Sequence, residues 1–410
     1  MKQLPVVNNQ YGGGLRLLEF LFIICATIFY INFKIQAQFL PIAPFIALFY
    51  IGYCLYAEPK YRLLIIKLLL FITLLVLLFV TLTESTSIGN VDNRFAKIIY
   101  AKFSQWLLVF FPIFLFHRTF TKASKKQILL IVATGLLNAI LLVRTALNII
   151  DINPTVLHSM DAGTLEDADV SLQGFSFVYA YTFLVLTCYI CFKYTKNKWA
   201  KYFCLGLMLY SVYFMFASQF ALSLVTTFIS FIYLKYNLST HNKQKKLLML
   251  IGIIILILLL PFFLKFLMSI SDMEILNVRL EEMYNALSGK GSNLAGSDLY
   301  ARLDLYWKSI RAFFHSPILG NRTLGFDPHS TFLSILADLG IMGGIIIYNL
   351  FSNSFKFMKS SLNTVYRFYT PLLCQILLMG FTNPIHSSPS IYIMLWFICP
   401  LLITLFVHYE

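Results

Sequence analysis

Charged residues are scarce in this sequence, and their scarcity excludes a soluble globular protein. Only 12% of the 410 residues are charged, whereas soluble domains carry about a quarter. Hydrophobic residues make up 59%, and a surface with so little charge must be covered mostly by lipid. The composition therefore predicts an integral membrane protein, with an all-α polytopic fold.

The patterns that bind nucleic acid or metal are also missing. The formal net charge is +14, yet no window mixes dense Lys and Arg with polar residues into a nucleic-acid patch, so we expect no nucleic-acid partner. No cage rich in Asp and Glu appears, and we expect neither metal nor cofactor. Cys188 and Cys191 have a CxxC spacing inside an apolar helix, and we interpret them as structural.

Apolar runs long enough to cross a bilayer recur along the chain. A hydrocarbon core about 30 Å thick needs about 20 apolar residues per helix, and this length predicts about twelve transmembrane helices. Ser218 and Gln219 would form a very tight turn between two of them, so that pair could instead be one long, broken span. The predicted spans lie near 17–33, 37–56, 63–82, 98–116, 127–149, 175–192, 202–218, 219–234, 247–268, 330–351, 368–383 and 390–408.

The placement of Lys and Arg sets the orientation of these spans. With the N-terminus inside, 20 of the 32 basic residues fall in cytoplasmic segments, and the reverse orientation inverts this bias. Both termini are therefore expected in the cytoplasm, in agreement with an even number of spans. Two of the internal loops are especially basic, and they contain Arg118, Lys122, Lys125, Lys126, Lys193, Lys196, Lys198 and Lys201.

Two of the predicted external segments are unusual. Residues 150–174 contain acidic residues but neither Lys nor Arg. The stretch 269–329 is far longer than the other loops, and it is too rich in aromatic residues for a disordered segment. We expect it to form a partly helical cap on the outer face, between spans nine and ten. The chain then divides into residues 1–268, 269–329 and 330–410.

The end of this loop and the following span carry the most informative motif. An amphipathic helix is predicted from Tyr300 to about Phe314, because the Pro and Gly of the next segment, 315–320, break helices. Ser330 suits the start of a further helix, which places His329 where span ten enters the outer membrane surface. Glycines at 340, 343 and 344 then allow neighbouring helices to approach closely.

This region resembles the signature region of the O-antigen polymerase/O-antigen ligase superfamily. Its members are multi-spanning enzymes with a large periplasmic loop late in the chain. The family pattern has an Arg in a helix, then Ser-Pro-x-x-Gly, then a His that opens a helix containing a Gly. Arg302, Ser316-Pro317, Gly320, His329 and Gly340 match this pattern in order and spacing. The match covers about a tenth of the chain, and the span count and loop placement agree across the rest.

The resemblance implies glycosyl transfer outside the cytoplasm from a polyprenyl-diphosphate-linked donor, such as a sugar on undecaprenyl diphosphate. Arg302 is the first candidate to bind the diphosphate, since a guanidinium grips phosphate bidentately and stabilises the charge of a leaving group. His329 could accept a proton from the attacking sugar hydroxyl, because an imidazole has a pKa of about 6.5. The alternative for Arg302 is a salt bridge to Asp304 or Glu282, and for His329 a helix cap or interface role.

Further residues of the outer side are candidates for substrate binding. Arg144 is notable because it lies inside the outer half of span five, where an ionisable group is costly. A second diphosphate contact there competes with snorkelling to the surface. Asn383 and His386 are acceptor-side candidates, although a plain turn before the last helix is the alternative. The full set is Arg94, Arg144, Arg279, Arg311, Arg322, Asn383 and His386.

We expect a polymerase that joins lipid-linked oligosaccharide repeat units into an O-antigen or related surface polysaccharide in the inner membrane. Ligases of the family tend to carry a mid-chain Arg where this sequence has Phe220, which favours polymerase over ligase. A transporter of lipid-linked sugars is the alternative from another functional class. Transporters often have two similar halves and charged groups near the bilayer midplane, whereas this sequence shows no half-repeat and few midplane charges. The expected partners are the lipid-linked oligosaccharide, the membrane and a chain-length regulator. A Gram-positive capsule polymerase would have much the same sequence features, so the Gram-negative context is itself an inference.

Overall fold

A computed structural model of the chain is built from helices. It describes residues 14–59, 62–84, 91–152, 174–238, 261–262, 264–266, 268–269, 274–287, 298–320, 330–362, 365–385 and 388–407. No β-strand occurs within these ranges. The all-α prediction is therefore confirmed for the described part of the chain.

The helices follow one another with short connections wherever the described residues are continuous. In chain order they are α1 (Leu17–Ile31), α2 (Phe33–Phe39), α3 (Ala43–Ala57), α4 (Arg62–Glu84), α5 (Val91–Lys122), α6 (Lys125–Ile152), α7 (Gly174–Tyr194), α8 (Lys198–Ala217), α9 (Ala221–Leu238), α10 (Glu274–Leu287), α11 (Asp298–His315), α12 (Thr331–Leu362), α13 (Tyr366–Thr382) and α14 (Pro389–Phe406). One turn of α14, Met394–Ile398, is π-helical.

Seven of the described helices are long and apolar enough to cross a membrane, namely α4, α5, α6, α7, α8, α12 and α14. Each coincides with a predicted span. Helices α1 and α3 are apolar but only 15 residues long. The runs predicted at 219–234 and 368–383 are helices α9 and α13, with 18 and 17 residues. Most of the run predicted at 247–268, and residues 153–173 of the acidic segment, lie outside the described residues.

Helix α14 occupies the centre of the packing. Nearly all its side chains are buried, and it contacts α1, α5, α6, α7 and α13. Trp396 lies against the rings of Phe351 and Phe355 on α12. The Tyr369 hydroxyl donates a 2.9 Å hydrogen bond to the Leu395 carbonyl, within the π-helical turn. The close approach of α6 needs Gly135, where a Cβ would stand 2.8 Å from Ile398 Cδ1.

The connection between α8 and α9 is a tight turn between two helices. Ser218 is the C-cap of α8, and Gln219 has a φ of +58°, a left-handed conformation that reverses the chain within two residues. Backbone hydrogen bonds of 2.9 and 3.0 Å, to the carbonyls of Phe214 and Phe216, close this turn. The two runs are therefore separate helices joined by the tight turn that the sequence predicted.

A buried ionic cluster joins α1, α3 and α5. Arg118 donates to both carboxylate oxygens of Glu19, at 2.8 and 3.0 Å, and to Glu58 at 2.7 Å. His117 forms a very short contact with the other oxygen of Glu58, and Tyr53 accepts from Arg118. The sequence predicted Arg118 in a cytoplasmic loop. It lies instead inside α5 and is only 4% exposed, because two carboxylates from neighbouring helices compensate its charge.

Candidate functional site

Helix α11 carries the first of the predicted site residues. Arg302 is half-buried near its start, and Arg311 is exposed further along. Asp304, one predicted alternative partner of Arg302, forms an exposed salt bridge with Lys308 at 2.7 Å. Three predicted residues, His329, Arg322 and His386, lie outside the described residues, and the same holds for the side chains of Arg94 in α5 and Arg279 in α10.

Two segments of the sequence motif meet the end of α13 in the structure. The Tyr306 hydroxyl of α11 donates a 3.1 Å hydrogen bond to the carbonyl of Thr382, at the end of α13. At the start of α12, Ser330 donates to the Gly380 carbonyl at 3.1 Å. The backbone N–H and the hydroxyl of Thr331 both donate to the Asn383 carbonyl, again at 3.1 Å. Helix α11, the entry into α12 and the turn after α13 therefore form one assembly.

Arg302 shares a helix face with the residue that makes this contact. Residues four apart on a helix lie one above the other, so Arg302 and Tyr306 lie on the same face of α11. That face meets the turn after α13. The i, i+4 spacing was visible in the sequence, but the partner of Tyr306 was not, because it lies 76 positions further along the chain.

Asn383 has a structural position in this assembly. It is only 3% exposed, its carbonyl accepts from Thr331, and its side-chain amide donates to the Thr382 hydroxyl at 3.1 Å. Its backbone therefore anchors the start of α12. These contacts are those of the plain turn, and the acceptor-side role of Asn383 stays a prediction.

The Ser-Pro-x-x-Gly turn packs directly on a kink in α12. Gly320 and Gly340 have φ values of +78° and +61°, in the region that favours glycine. A Cβ on Gly320 would lie 2.2 Å from the Asp338 backbone, and one on Gly340 would lie 2.4 Å from the Ile318 carbonyl oxygen. The sequence predicted close approach at Gly340, but its partner is this turn rather than another helix.

The kink also exposes backbone donors, and the turn satisfies them. The N–H of Ile341 donates to the Pro317 carbonyl at 2.8 Å, and the N–H of Met342 donates to the Ile318 carbonyl at 3.3 Å. A break inside an apolar helix would otherwise leave such groups unpaired, at a cost of about 1–3 kcal/mol each where water does not reach them. The motif thus forms one rigid joint, which fixes α11 relative to the start of α12.

Two further contacts concern the mid-chain candidates. Helix α6 packs against α1, α8 and α14, and Arg144 is exposed on α6, within electrostatic range of Tyr210 on α8. These contacts do not place Arg144 beside α11. Phe220 of the turn between α8 and α9 lies edge-on to Tyr179, with ring centroids 6.5 Å apart.

An apolar cavity of about 430 Å³ lies between α1, α2, α3 and α5. Phe22, Leu108 and Phe111 are among its lining residues. Tyr30 is a polar residue in the wall of the cavity, and its hydroxyl donates a 2.8 Å hydrogen bond to the Leu108 carbonyl. The cavity can therefore accept hydrocarbon, and none of its lining residues belongs to α11 or α12.

The fold defines the class of this chain as a helical, multi-pass membrane protein. Neither a known family model nor a curated protein matches the sequence. Within the described residues, no group of three His, Cys, Asp or Glu side chains could hold a metal ion.

Proposed function

We propose that this chain is a membrane glycosyltransferase of the O-antigen polymerase type. It would join undecaprenyl-diphosphate-linked oligosaccharide repeat units into a surface polysaccharide. One observation carries the proposal: the parts of the resembling motif lie in one assembly. The 316–320 turn is hydrogen-bonded to the kink of α12, and α11 and the entry into α12 both donate to carbonyls at the end of α13.

The proposed chemistry needs a cation for the diphosphate and a base for the acceptor. The acceptor hydroxyl attacks the anomeric carbon of the donor sugar and forms the new glycosidic bond. The bond from that carbon to the diphosphate oxygen breaks, and the diphosphate leaves with the electron pair. Arg302 would stabilise its developing charge, and His329 would take the hydroxyl proton.

The turn between α8 and α9 favours a polymerase over a ligase. Phe220 stands where the ligases carry an Arg, and its ring packs on Tyr179. An apolar ring cannot bind diphosphate, so a ligase would have to recruit another cation. Ligation of finished polymer to lipid A–core is therefore the second candidate, and the first experiment below distinguishes the two.

The proposed topology has twelve spans in the inner membrane, residues 269–329 as a periplasmic cap, and both termini in the cytoplasm. The basic loops support this orientation, and helices α10 and α11 give the cap segment its own structure. A cysteine introduced within 288–297 should react with an impermeant thiol reagent in intact cells, whereas one replacing Lys196 should not. The opposite result would reject this orientation.

The functional test is deletion of the gene in its host, followed by gel separation of the surface lipopolysaccharide. A polymerase predicts that the ladder collapses to core with a single repeat unit. Bare core with long polymer on the carrier lipid would identify a ligase instead. An unchanged ladder would reject both functions and favour a transporter.

Complementation then tests the proposed residues. We expect the Arg302→Lys and His329→Ala variants to fail to restore the ladder, because Lys lacks the bidentate fork and Ala cannot accept a proton. Lys308→Gln is a matched control on α11, where the residue is exposed and paired with Asp304. All three must be present in the membrane at wild-type levels, and full restoration by the first two would remove these residues from the chemistry.

A further inference from the structure

One end of the helix group α7, α8, α9 and α13 carries cations without acidic residues nearby in sequence. Residues 170–271 and 339–409 contain neither Asp nor Glu, and these stretches include all four helices. The cations are Lys193 in the last turn of α7, Lys201 in α8, Lys235 in the last turn of α9 and Arg367 at the start of α13. We call these four residues, with the aromatic rings beneath them, the basic rim.

Each cation of the basic rim lies over an aromatic face. The Lys235 ammonium is 4.9 Å from the Tyr189 ring centroid and 5.3 Å from that of Phe231. The Lys201 ammonium is 5.3 Å from the Phe192 ring, and that of Lys193 is 5.2 Å from the Tyr194 ring. The Arg367 guanidinium is 4.7 Å from the Phe368 ring. Such contacts hold side chains that would otherwise move freely.

The rings connect these cations into a continuous surface. Tyr189 and Phe231 meet edge to face, with centroids 4.6 Å apart, and join α7 to α9. Tyr194 and Phe368 are also 4.6 Å apart and join α7 to α13. Asn237 of α9 completes the connection, since its amide donates to the Thr370 hydroxyl of α13 at 2.6 Å.

Three of these cations are not compensated by carboxylates of the described residues. Lys193, Lys201 and Lys235 form no salt bridge with any residue that the structure describes. A cation–π contact at an exposed site is weak and does not replace a counter-ion. It also leaves donors of each ammonium directed away from the ring. Like charges that share a small surface repel one another, so an anion binding between them gains energy from several cations together.

The position of the basic rim identifies the anion. Trp199 and Tyr202 beside it are 85% and 67% exposed, and exposed Trp and Tyr at helix ends mark the headgroup level of a bilayer. The anions held there in high local concentration are lipid phosphates. Juxtamembrane lysines attract anionic lipids, and the attraction increases with the number of neighbouring lysines.

We propose that the basic rim binds the headgroups of anionic phospholipids, and that this contact anchors the group α7, α8, α9 and α13 in its leaflet. The inference is independent of the proposed glycosyltransferase activity. It concerns a different set of helices from the motif assembly, apart from α13, whose opposite end carries the turn at Thr382.

The test titrates the purified full chain with phosphatidylglycerol or phosphatidylcholine and counts bound lipids by native mass spectrometry. We expect phosphatidylglycerol to bind at least about tenfold tighter than phosphatidylcholine. The triple variant Lys193→Gln, Lys201→Gln, Lys235→Gln should lose most of this preference. A triple variant with Arg at the same positions should retain it, since Arg keeps the charge and the contact to the ring.

A matched control separates this surface from bulk charge. Lys122, Lys125 and Lys126 lie over no aromatic ring among the described residues, and their triple replacement by Gln removes the same charge. It should cost less of the lipid preference than the basic-rim triple does, because no ring holds these ammonium groups in a fixed position.

Three results would overturn the proposal: an equal loss in both Gln triples, no preference for phosphatidylglycerol in the wild type, or full competition by inorganic phosphate at equal concentration. Equal melting temperatures in phosphatidylcholine confirm that each variant is folded. A Gln triple that does not fold is replaced by the three single variants, judged by the same preference.

Discussion

Glu58 is a single carboxylate whose surroundings decide how the protein responds to acid. Burial raises its pKa, but the hydrogen bonds and charges of His117 and Arg118 outweigh that effect and lower the pKa from 4.5 to about 2. Because Arg118 also binds Glu19, protonation of Glu58 weakens the contact that holds α3 to α5 and α1.

We therefore expect acid to destabilise the fold in a defined window. The folded pKa lies below the unfolded value, so Glu58 stabilises the fold above about pH 4.5 and loses that contribution as the pH falls towards 2. The melting temperature of the solubilised protein should fall across this window. Glu58→Gln should be less stable at pH 6 and show a flatter curve. Glu281→Gln, which removes an exposed carboxylate of α10, is the control, and parallel curves for wild type and Glu58→Gln would contradict the assignment.

At the scale of elements, the joint between the 316–320 turn and the kinked helix α12 depends on two glycines. Each has a positive φ, and each has backbone atoms of the other segment where its Cβ would stand. Backbone cannot move aside as a flexible side chain can. The joint is therefore intolerant of any side chain at either position.

Gly320→Ala and Gly340→Ala should each destabilise the protein by at least about 2 kcal/mol, through left-handed strain and backbone overlap. Gly206→Ala is the control, because no atom lies within 4 Å of its Cβ position inside α8. There alanine should be neutral or stabilising by up to about 1 kcal/mol. Thermal unfolding in detergent measures all three, and equal stability of Gly340→Ala and Gly206→Ala would show that the joint is loose.

Local signals in the sequence predicted the elements better than their partners. The start of α12 was predicted correctly because Ser330 is a local N-cap signal. In the structure its hydroxyl accepts a hydrogen bond from the Leu333 N–H. The tight turn at Gln219 was also predicted correctly, again from the local sequence. The burial of Arg118 and the contact of Gly340 with Ile318 were missed, since both depend on residues distant in sequence. The roles of all the candidate site residues stay predictions, and His329, Arg322 and His386 lie outside the described residues.

At the scale of the whole molecule, the packing is organised around α14. Trp396 is fully buried there and contacts α12. Trp396→Ala should cost about 3–5 kcal/mol, because the cavity left behind cannot collapse between helices held on several sides. Trp199→Ala, at an 85% exposed position, is the control. A comparable loss of melting temperature in both variants would argue against a central role for α14.

The central position of α14 has a consequence for biosynthesis. The ribosome makes α1, α5, α6 and α7 before α14, although α14 packs among all of them. The early helices must therefore enter the bilayer before α14 is made, and lipid covers the surfaces that later contact α14. In a nascent chain interrupted before residue 389, the surfaces that contact α14 in the complete protein stay without their protein partner. Such a chain is a natural target for membrane quality control, so maturation of this protein depends on completing α14.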